Sequence, residues 1–176
     1  MPLVAPARGG DRVARQRLFE VLHPGLRRYL LHMTRDDQRA DDLTQEAFAR
    51  ALTALPRLRE DGAFRGWLFQ IASNLLRDEA ARATELLTDD EATLDRPDPS
   101  ADPSRRLLRA ELATVIRDAV AALPPDQRAV VVMHHFEGLE VSAIAQALGL
   151  REGTVKSRLG RGREVLRRRL TPWMEG

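Results

Sequence analysis

The chain has 176 residues, room for one domain or two small ones, and is 43% hydrophobic but only 5% aromatic, so Ala, Leu and Arg favour helices and little β-branched or aromatic material remains for a sheet. It contains no cysteine, which excludes disulfides and any cysteine-ligated zinc or iron–sulfur centre and is compatible with a reducing compartment. No apolar stretch approaches the roughly eighteen residues of a membrane span, and Met1 to Arg8 lack a signal-peptide core, so a soluble, cytoplasmic, all-helical protein without membrane insertion is expected.

In chain order, Leu18, Val21, Leu22, Leu26, Tyr29, Leu30 and Met33 recur at three- and four-residue spacings, the mark of one buried helical face. Pro24 is expected to restart that helix after His23. Following the start signal Thr34-Arg-Asp-Asp, Ala40, Leu43, Ala47, Phe48, Ala51, Leu52 and Leu55 predict a second long helix that stops before Pro56. A polar loop over 57–62 leads into a third stripe, Phe64, Trp67, Leu68, Ile71, Ala72 and Leu75.

Charge then changes abruptly. Residues 84–104 carry seven carboxylates against Arg96 alone, a net of −6, together with Pro97, Pro99 and Pro103. Such a segment has little to bury and reads as a flexible acidic linker. It divides the chain into an N-terminal helical domain over 1–83 and a C-terminal one over 105–176, two small domains on a tether.

In the second half, Leu107, Leu108, Leu112, Val115, Ile116, Ala119 and Leu123 predict a helix ending at Pro124-Pro125. Another runs from Gln127 to Phe136 and closes near Glu137-Gly138. Two helices follow, Val141 to Leu148 and Glu152 to about Leu170, separated by Gly149-Leu150-Arg151, which is a helix-turn-helix arrangement. Ile144, Ala145 and Leu148 would pack on Val155 and Leu159. The opposite face carries Thr154, Lys156, Ser157, Arg158 and Arg161, within a stretch, 151–170, of net charge +6. These donors can reach phosphates and base edges from the major groove; a solvated basic face is the plain alternative.

Two further groups stand out. Asp42, Gln45 and Glu46 share one helical face with Asp41 beside them. They can be read as a solvated face or as the carboxylates of a metal-dependent nucleic-acid-processing enzyme, although no histidine or nucleophile lies nearby in sequence. Arg59, Phe64, Arg65, Trp67, Asn74 and Arg77 mix cations with aromatic rings, as proteins that hold unpaired bases do. Phe64 and Trp67 fit a buried core equally well. His134, His135 and Glu137 could suggest a metal, but adjacent helical residues diverge by about a hundred degrees and no third ligand is evident, so a structural role is expected.

Leu123-Pro-Pro-Asp-Gln-Arg, Phe136-Glu-Gly-Leu and Gly153-Thr-Val-Lys-Ser-Arg-Leu resemble region 4 of bacterial sigma factors. Asp41-Asp-Leu-Thr-Gln-Glu-Ala-Phe and Phe64-Arg-Gly-Trp-Leu-Phe-Gln-Ile-Ala-Ser-Asn-Leu are similar to region 2. The blocks cover most of residues 15–83 and 107–170 in the expected order, with only the acidic linker between them, as in the extracytoplasmic-function group. The resemblance implies a transcription initiation factor without covalent chemistry or cofactor. Asp41, Asp42, Gln45 and Glu46 would dock on the clamp helices of core RNA polymerase's largest subunit, and the polymerase flap is a further implied contact. Arg59, Phe64, Arg65, Trp67, Asn74 and Arg77 would capture single-stranded minus-ten DNA. Arg151, Glu152, Thr154, Lys156, Ser157, Arg158 and Arg161 would read the duplex minus-thirty-five element. An anti-sigma partner is also implied. A helix-turn-helix regulator of operators is the alternative for the C-terminal half, but it leaves the N-terminal block unexplained. Glu140 and Arg151 stand where the family often has a capping Ser or Thr, and Gly160 and Gly162 could shorten the last helix or admit DNA close to its backbone.

Overall fold

The computed structural model describes residues 1–86 and 103–174, with side chains over 1–82 and 111–173. All regular elements among them are helical. The linker expected over 84–104 lies, apart from its two ends, outside the described residues.

Three long helices make the N-terminal half. A short α1, Val4–Arg8, precedes α2, Arg12–Thr34, whose first turn is capped by Asp11 accepting from the amides of Val13 and Ala14 at 2.8 and 3.1 Å. Helix α2 ends where Arg35 turns left-handed at φ 57°. Pro24 does not restart the helix: α2 runs through it unbroken. The residue is exposed, so water can satisfy the Glu20 carbonyl that loses its donor, while Leu18, Leu22 and Leu26, all buried, hold both sides of the proline to one core.

Asp36 caps α3, Asp37–Ala54, by accepting from the Arg39 amide at 3.0 Å. Two single 3₁₀ turns, Leu55–Arg57 and Asp61–Ala63, lead to α4, Phe64–Leu86. Arg8 ties this connection to α1 through the Leu58 carbonyl at 2.8 Å and Asp61 at 3.0 Å. Between α2, α3 and α4 lie Leu18, Leu26, Tyr29, Phe48, Phe64, Leu68 and Phe69. Each fully buried large side chain contributes about 1.5–3 kcal/mol. The Tyr29 hydroxyl meets Ser73 Oγ at 3.0 Å while Ser73 donates to the Phe69 carbonyl, and burial pushes the phenol up to about 12.

In the C-terminal half α5, Pro103–Ala121, is followed by α6, Pro125–Val131. The chain continues from α6 into a π-helical turn, Val132–Phe136, rather than ending as a uniform α-helix. Gly138, at φ 61°, then reverses it. Helix α7, Val141–Leu148, a turn through Gly149 at φ 66°, and α8, Glu152–Met174, complete the helix-turn-helix. No side chain caps α7 at Glu140. Ile144 and Ala145 are buried with Val155 and Leu159, as their spacing predicts.

The halves share one continuous core rather than standing apart. Helix α4 lies along α7, and at Gly66 a Cβ would stand 3.3 Å from that of Ala143. Arg128, nearly fully buried on α6, donates to the Ala121 and Leu123 carbonyls at 2.7 and 2.9 Å and across to the His32 carbonyl at 3.2 Å. Arg35 of the other half donates to the same Ala121 carbonyl.

Candidate nucleic-acid and protein interfaces

Helix α3 buries Ala40, Leu43, Thr44, Ala47 and Phe48, so its period leaves Asp42, Gln45 and Glu46 on the solvent side. Asp42 and Gln45 have no side-chain partner among the described residues, and Glu46 meets only its neighbour Arg50 at 2.5 Å. Asp41 differs. Arg27 of α2 donates to it at 2.6 Å and to Asp37 at 2.6 Å, which holds the Asp41 carboxyl below the ordinary carboxylate range and raises the guanidinium. Asp41 is therefore half-screened by its own fold, and Arg27 occupies the position a metal would need on that carboxylate. Sequence reasoning missed Arg27, which carries no motif and meets its partners only when α2 and α3 pack.

The mixed cationic and aromatic group separates into three. Phe64 is fully buried and is corrected here to core: it opens α4 against α2 and α3, and its ring cannot stack on a base in this arrangement. Trp67 is half-buried, its ring 6.0 Å from that of Phe64. Arg65 points to the other half, where it donates to the Glu137 carbonyl and lies 3.8 Å from the Glu137 carboxylate. Arg59 on the loop and Asn74 and Arg77 on α4 are exposed. The last two are three residues apart and share a face.

Arg151, just before α8, and Glu152, Lys156, Ser157 and Arg161 on it are exposed, and Thr154 is half-buried. Lys156 lies 3.9 Å from Glu152, and Arg161 donates to Ser157 Oγ at 3.2 Å, both along the helix surface. Arg158 departs from the expected row. It turns toward α6, pairs with Asp126 at 3.1 Å and keeps only 25% of its side chain exposed, so here it fastens α8 to α6. The two glycines also have different surroundings. A Cβ at Gly160 would meet open space, whereas one at Gly162 would lie 2.7 Å from Val131 Cγ2, so Gly162 admits α6 rather than DNA, and α8 continues past both. Arg163, one residue on, donates to His135 Nε2 at 3.1 Å.

His134 Nδ1 meets the Leu139 carbonyl at 2.9 Å, and Glu137 is buried among arginines of the other half, so neither is turned toward a common ligand. Among the described residues no three His, Cys, Asp or Glu groups are placed to hold a metal ion, and no helix is long and apolar enough to cross a membrane.

Against known proteins, residues 18–85 match the model of sigma-70 region 2 and residues 113–166 that of sigma-70 region 4. The chain is similar to the RNA polymerase sigma-H factor of Pseudomonas aeruginosa, with 31% identity covering 97% of this chain and 93% of that protein. It is 36% identical to the ECF RNA polymerase sigma factor SigM of Mycobacterium tuberculosis, covering 96% and 83%. Among solved structures, CnrH bound to the cytosolic domain of CnrY superposes with a TM-score of 0.69 at 27% identity, over 97% of this chain and 96% of that one. The sigma factor RpoE of Bartonella quintana, in complex with the anti-sigma factor NepR, shares the fold, with a TM-score of 0.73 at 21% identity over 89% and 96%.

Proposed function

As a member of the extracytoplasmic-function family of RNA polymerase sigma factors, the chain directs promoter-specific transcription initiation, and we propose that it does so through three separate faces. The exposed row Asp42, Gln45 and Glu46, with Asp41 at its margin, docks on basic groups of core polymerase by charge complementarity. Asn74, Arg77 and Arg59 hold the minus-ten strand once it is unpaired, joined by Arg65 and Trp67. Lys156, Ser157 and Arg161, flanked by Arg151, Glu152 and Thr154, enter the major groove of the minus-thirty-five element.

The single observation that carries this reading is the pairing of two oppositely charged exposed faces, acidic on α3 and basic on the second helix of a helix-turn-helix, in one chain. A DNA reader alone has no use for the first. Opening of DNA draws on binding energy, so the protein acts as a cytoplasmic initiation factor and not as an enzyme, and this role calls for no cofactor. The domains divide at the acidic segment 84–104, which lets the two DNA-binding faces separate on a tether. CnrH was solved with the cytosolic domain of CnrY, and a comparable anti-sigma partner is proposed for this chain.

Permanganate reactivity of the minus-ten strand, measured beside duplex binding on a promoter selected from a library, separates the roles. Asn74→Ala/Arg77→Ala is expected to abolish melting while duplex binding persists. Lys156→Ala/Arg161→Ala is expected to weaken minus-thirty-five binding and flatten its salt dependence, by about one log–log slope unit for each phosphate that is no longer neutralised. Wild-type melting in the first variant, or unchanged binding in the second, would remove that face from the account.

A further inference from the structure

The connection from α3 to α4, which carries Arg59, owes its shape to a residue fifty positions earlier. Its two 3₁₀ turns use the bonds from the Leu58 amide to the Leu55 carbonyl, 3.0 Å, and from the Ala63 amide to the Glu60 carbonyl, 3.1 Å, and neither turn has a side-chain cap. Between them the chain is extended, with Leu58 at φ −69°, ψ 121° and Glu60 at φ −120°, ψ 114°. Arg8 Nη1 donates to the Leu58 carbonyl at 2.8 Å and pairs with Asp61 Oδ1 at 3.0 Å. One nitrogen therefore grips the chain on both sides of Arg59 and Glu60, whose side chains are exposed. Asp61 Oδ1 is closed off from water and has no hydrogen bond among the described residues, so the Arg8 guanidinium is what compensates its charge. Arg8 is held in turn. Helix α1 buries Val4 and Ala7 completely, and Arg15 of α2 donates to the Ala7 carbonyl at 2.9 Å. A helix of five residues is too short to stand alone, so its place is set by what it packs against.

We propose that Arg8 is a positioning residue for minus-ten capture: it fixes the backbone over 58–61, so that Arg59 is presented to the unpaired strand already ordered. This rests on the reading that places Arg59 on that strand. A loop ordered before it binds loses less conformational freedom on binding, and more of its contact energy then appears as affinity. Direct contact of Arg8 with a phosphate has a different signature. Removing a cation from beside DNA weakens binding, whereas removing a carboxylate from the same place strengthens it. Arg8 and Asp61 acting as the two halves of one clamp give the same sign, because loss of either frees the loop.

Full-length Arg8→Met, Asp61→Ala, Arg59→Ala and Arg8→Met/Arg59→Ala, each with core polymerase, test this by permanganate reactivity of the minus-ten strand, beside hydrogen exchange of the free proteins. Arg8→Met is expected to lower strand opening about tenfold, since one hydrogen bond to a charged group is worth about a decade in an equilibrium constant. Asp61→Ala, which leaves the bond to the Leu58 carbonyl, should lower it about threefold, as fits a partly exposed ion pair. In the Arg59→Ala background the Arg8→Met loss should vanish, because positioning acts only through that side chain. The Leu58 and Ala63 amides should exchange about tenfold faster in Arg8→Met, while those of Leu68 and Phe69 in the core of α4 stay unchanged. Wild-type opening by Arg8→Met, stronger opening by Asp61→Ala, losses that multiply in the double variant, or unchanged loop exchange would each overturn the positioning role. Wild-type opening by Arg59→Ala would instead strike Arg59 from the minus-ten reading and the proposal with it. The exchange rates, which need no DNA, tell that failure from a loop that Arg8 does not hold.

Discussion

Replacing Gly160 and Gly162 separately with alanine sets the same methyl group two residues apart on α8, against open space in one case and against Val131 in the other. Alanine in a helix interior gains about 1 kcal/mol over glycine, so Gly160→Ala should stabilise the protein by about that amount. At position 162 the same gain meets a clash. The new Cβ would stand 2.7 Å from Val131 Cγ2 and 3.7 Å from Gln127 Cβ. Val131 is fully buried, and β-branching leaves it one favoured rotamer in a helix. Overpacking of this kind costs about 1–3 kcal/mol, which makes Gly162→Ala neutral to about 2 kcal/mol destabilising. The two variants should therefore differ by about 1–3 kcal/mol, or about 2–12 °C in melting temperature at 2–4 °C per kcal/mol. Thermal melts followed by circular dichroism measure both. If Gly162→Ala melts as high as Gly160→Ala, α8 does not cross α6 at this residue and the packing described for the recognition helix is wrong.

Stability should also fall in acid. Burial, reinforced by Arg128, Arg28 and Arg117, lowers His32 from its ordinary 6.5 to about 4. The unfolded chain then takes the proton first, so stability is intact above pH 6.5 and is lost as pH falls toward 4, by up to about 3 kcal/mol at 1.36 kcal/mol per pH unit. Urea midpoints of wild type and His32→Leu should diverge between pH 7 and 4.5, with wild type losing more; parallel curves would contradict the assignment. Arg128→Met strands the buried Leu123 carbonyl, at about 1–3 kcal/mol for a buried acceptor left unpaired, and takes a donor from the part-buried carbonyls of His32 and Ala121, of which Ala121 keeps Arg35. Its urea midpoint should drop sharply, and Arg128→Lys should recover little because an ammonium lacks the guanidinium fork.

Local pattern carried most of the fold. The three- and four-residue spacing of Leu18, Leu22, Leu26 and Leu30 marks a face that is buried, and Ile144, Ala145, Val155 and Leu159 meet as their turn chemistry implies. The exposed row of α3 is legible for the same reason: one helix period sorts Leu43 and Ala47 inward and Asp42 and Glu46 outward. What sequence left hidden depends on distant partners. Arg27 reaches Asp41 across fourteen positions, and Glu137 reaches Arg28 across 109, distances at which no periodicity speaks. Pro24 misleads because its local veto on helix is weaker than burial on both sides of it. Phe64 and Arg65, adjacent in sequence, share one cationic and aromatic group by composition, yet α4 sends the first into the core and the second to the other half.

Run-off transcription with sigma-free core polymerase on a promoter library, comparing wild type with Asp42→Ala/Glu46→Ala, tests the central claim most directly. Both side chains are exposed, and the one ion pair removed is worth at most about 1 kcal/mol, so the variant should keep its helical signal. Wild type should initiate at sites sharing two unlike, directionally spaced elements, and the folded variant should fail to initiate. A wild type that binds duplex DNA but starts no transcript on any template would contradict the account, and a variant that initiates as well as wild type would remove the acidic face of α3 from polymerase docking.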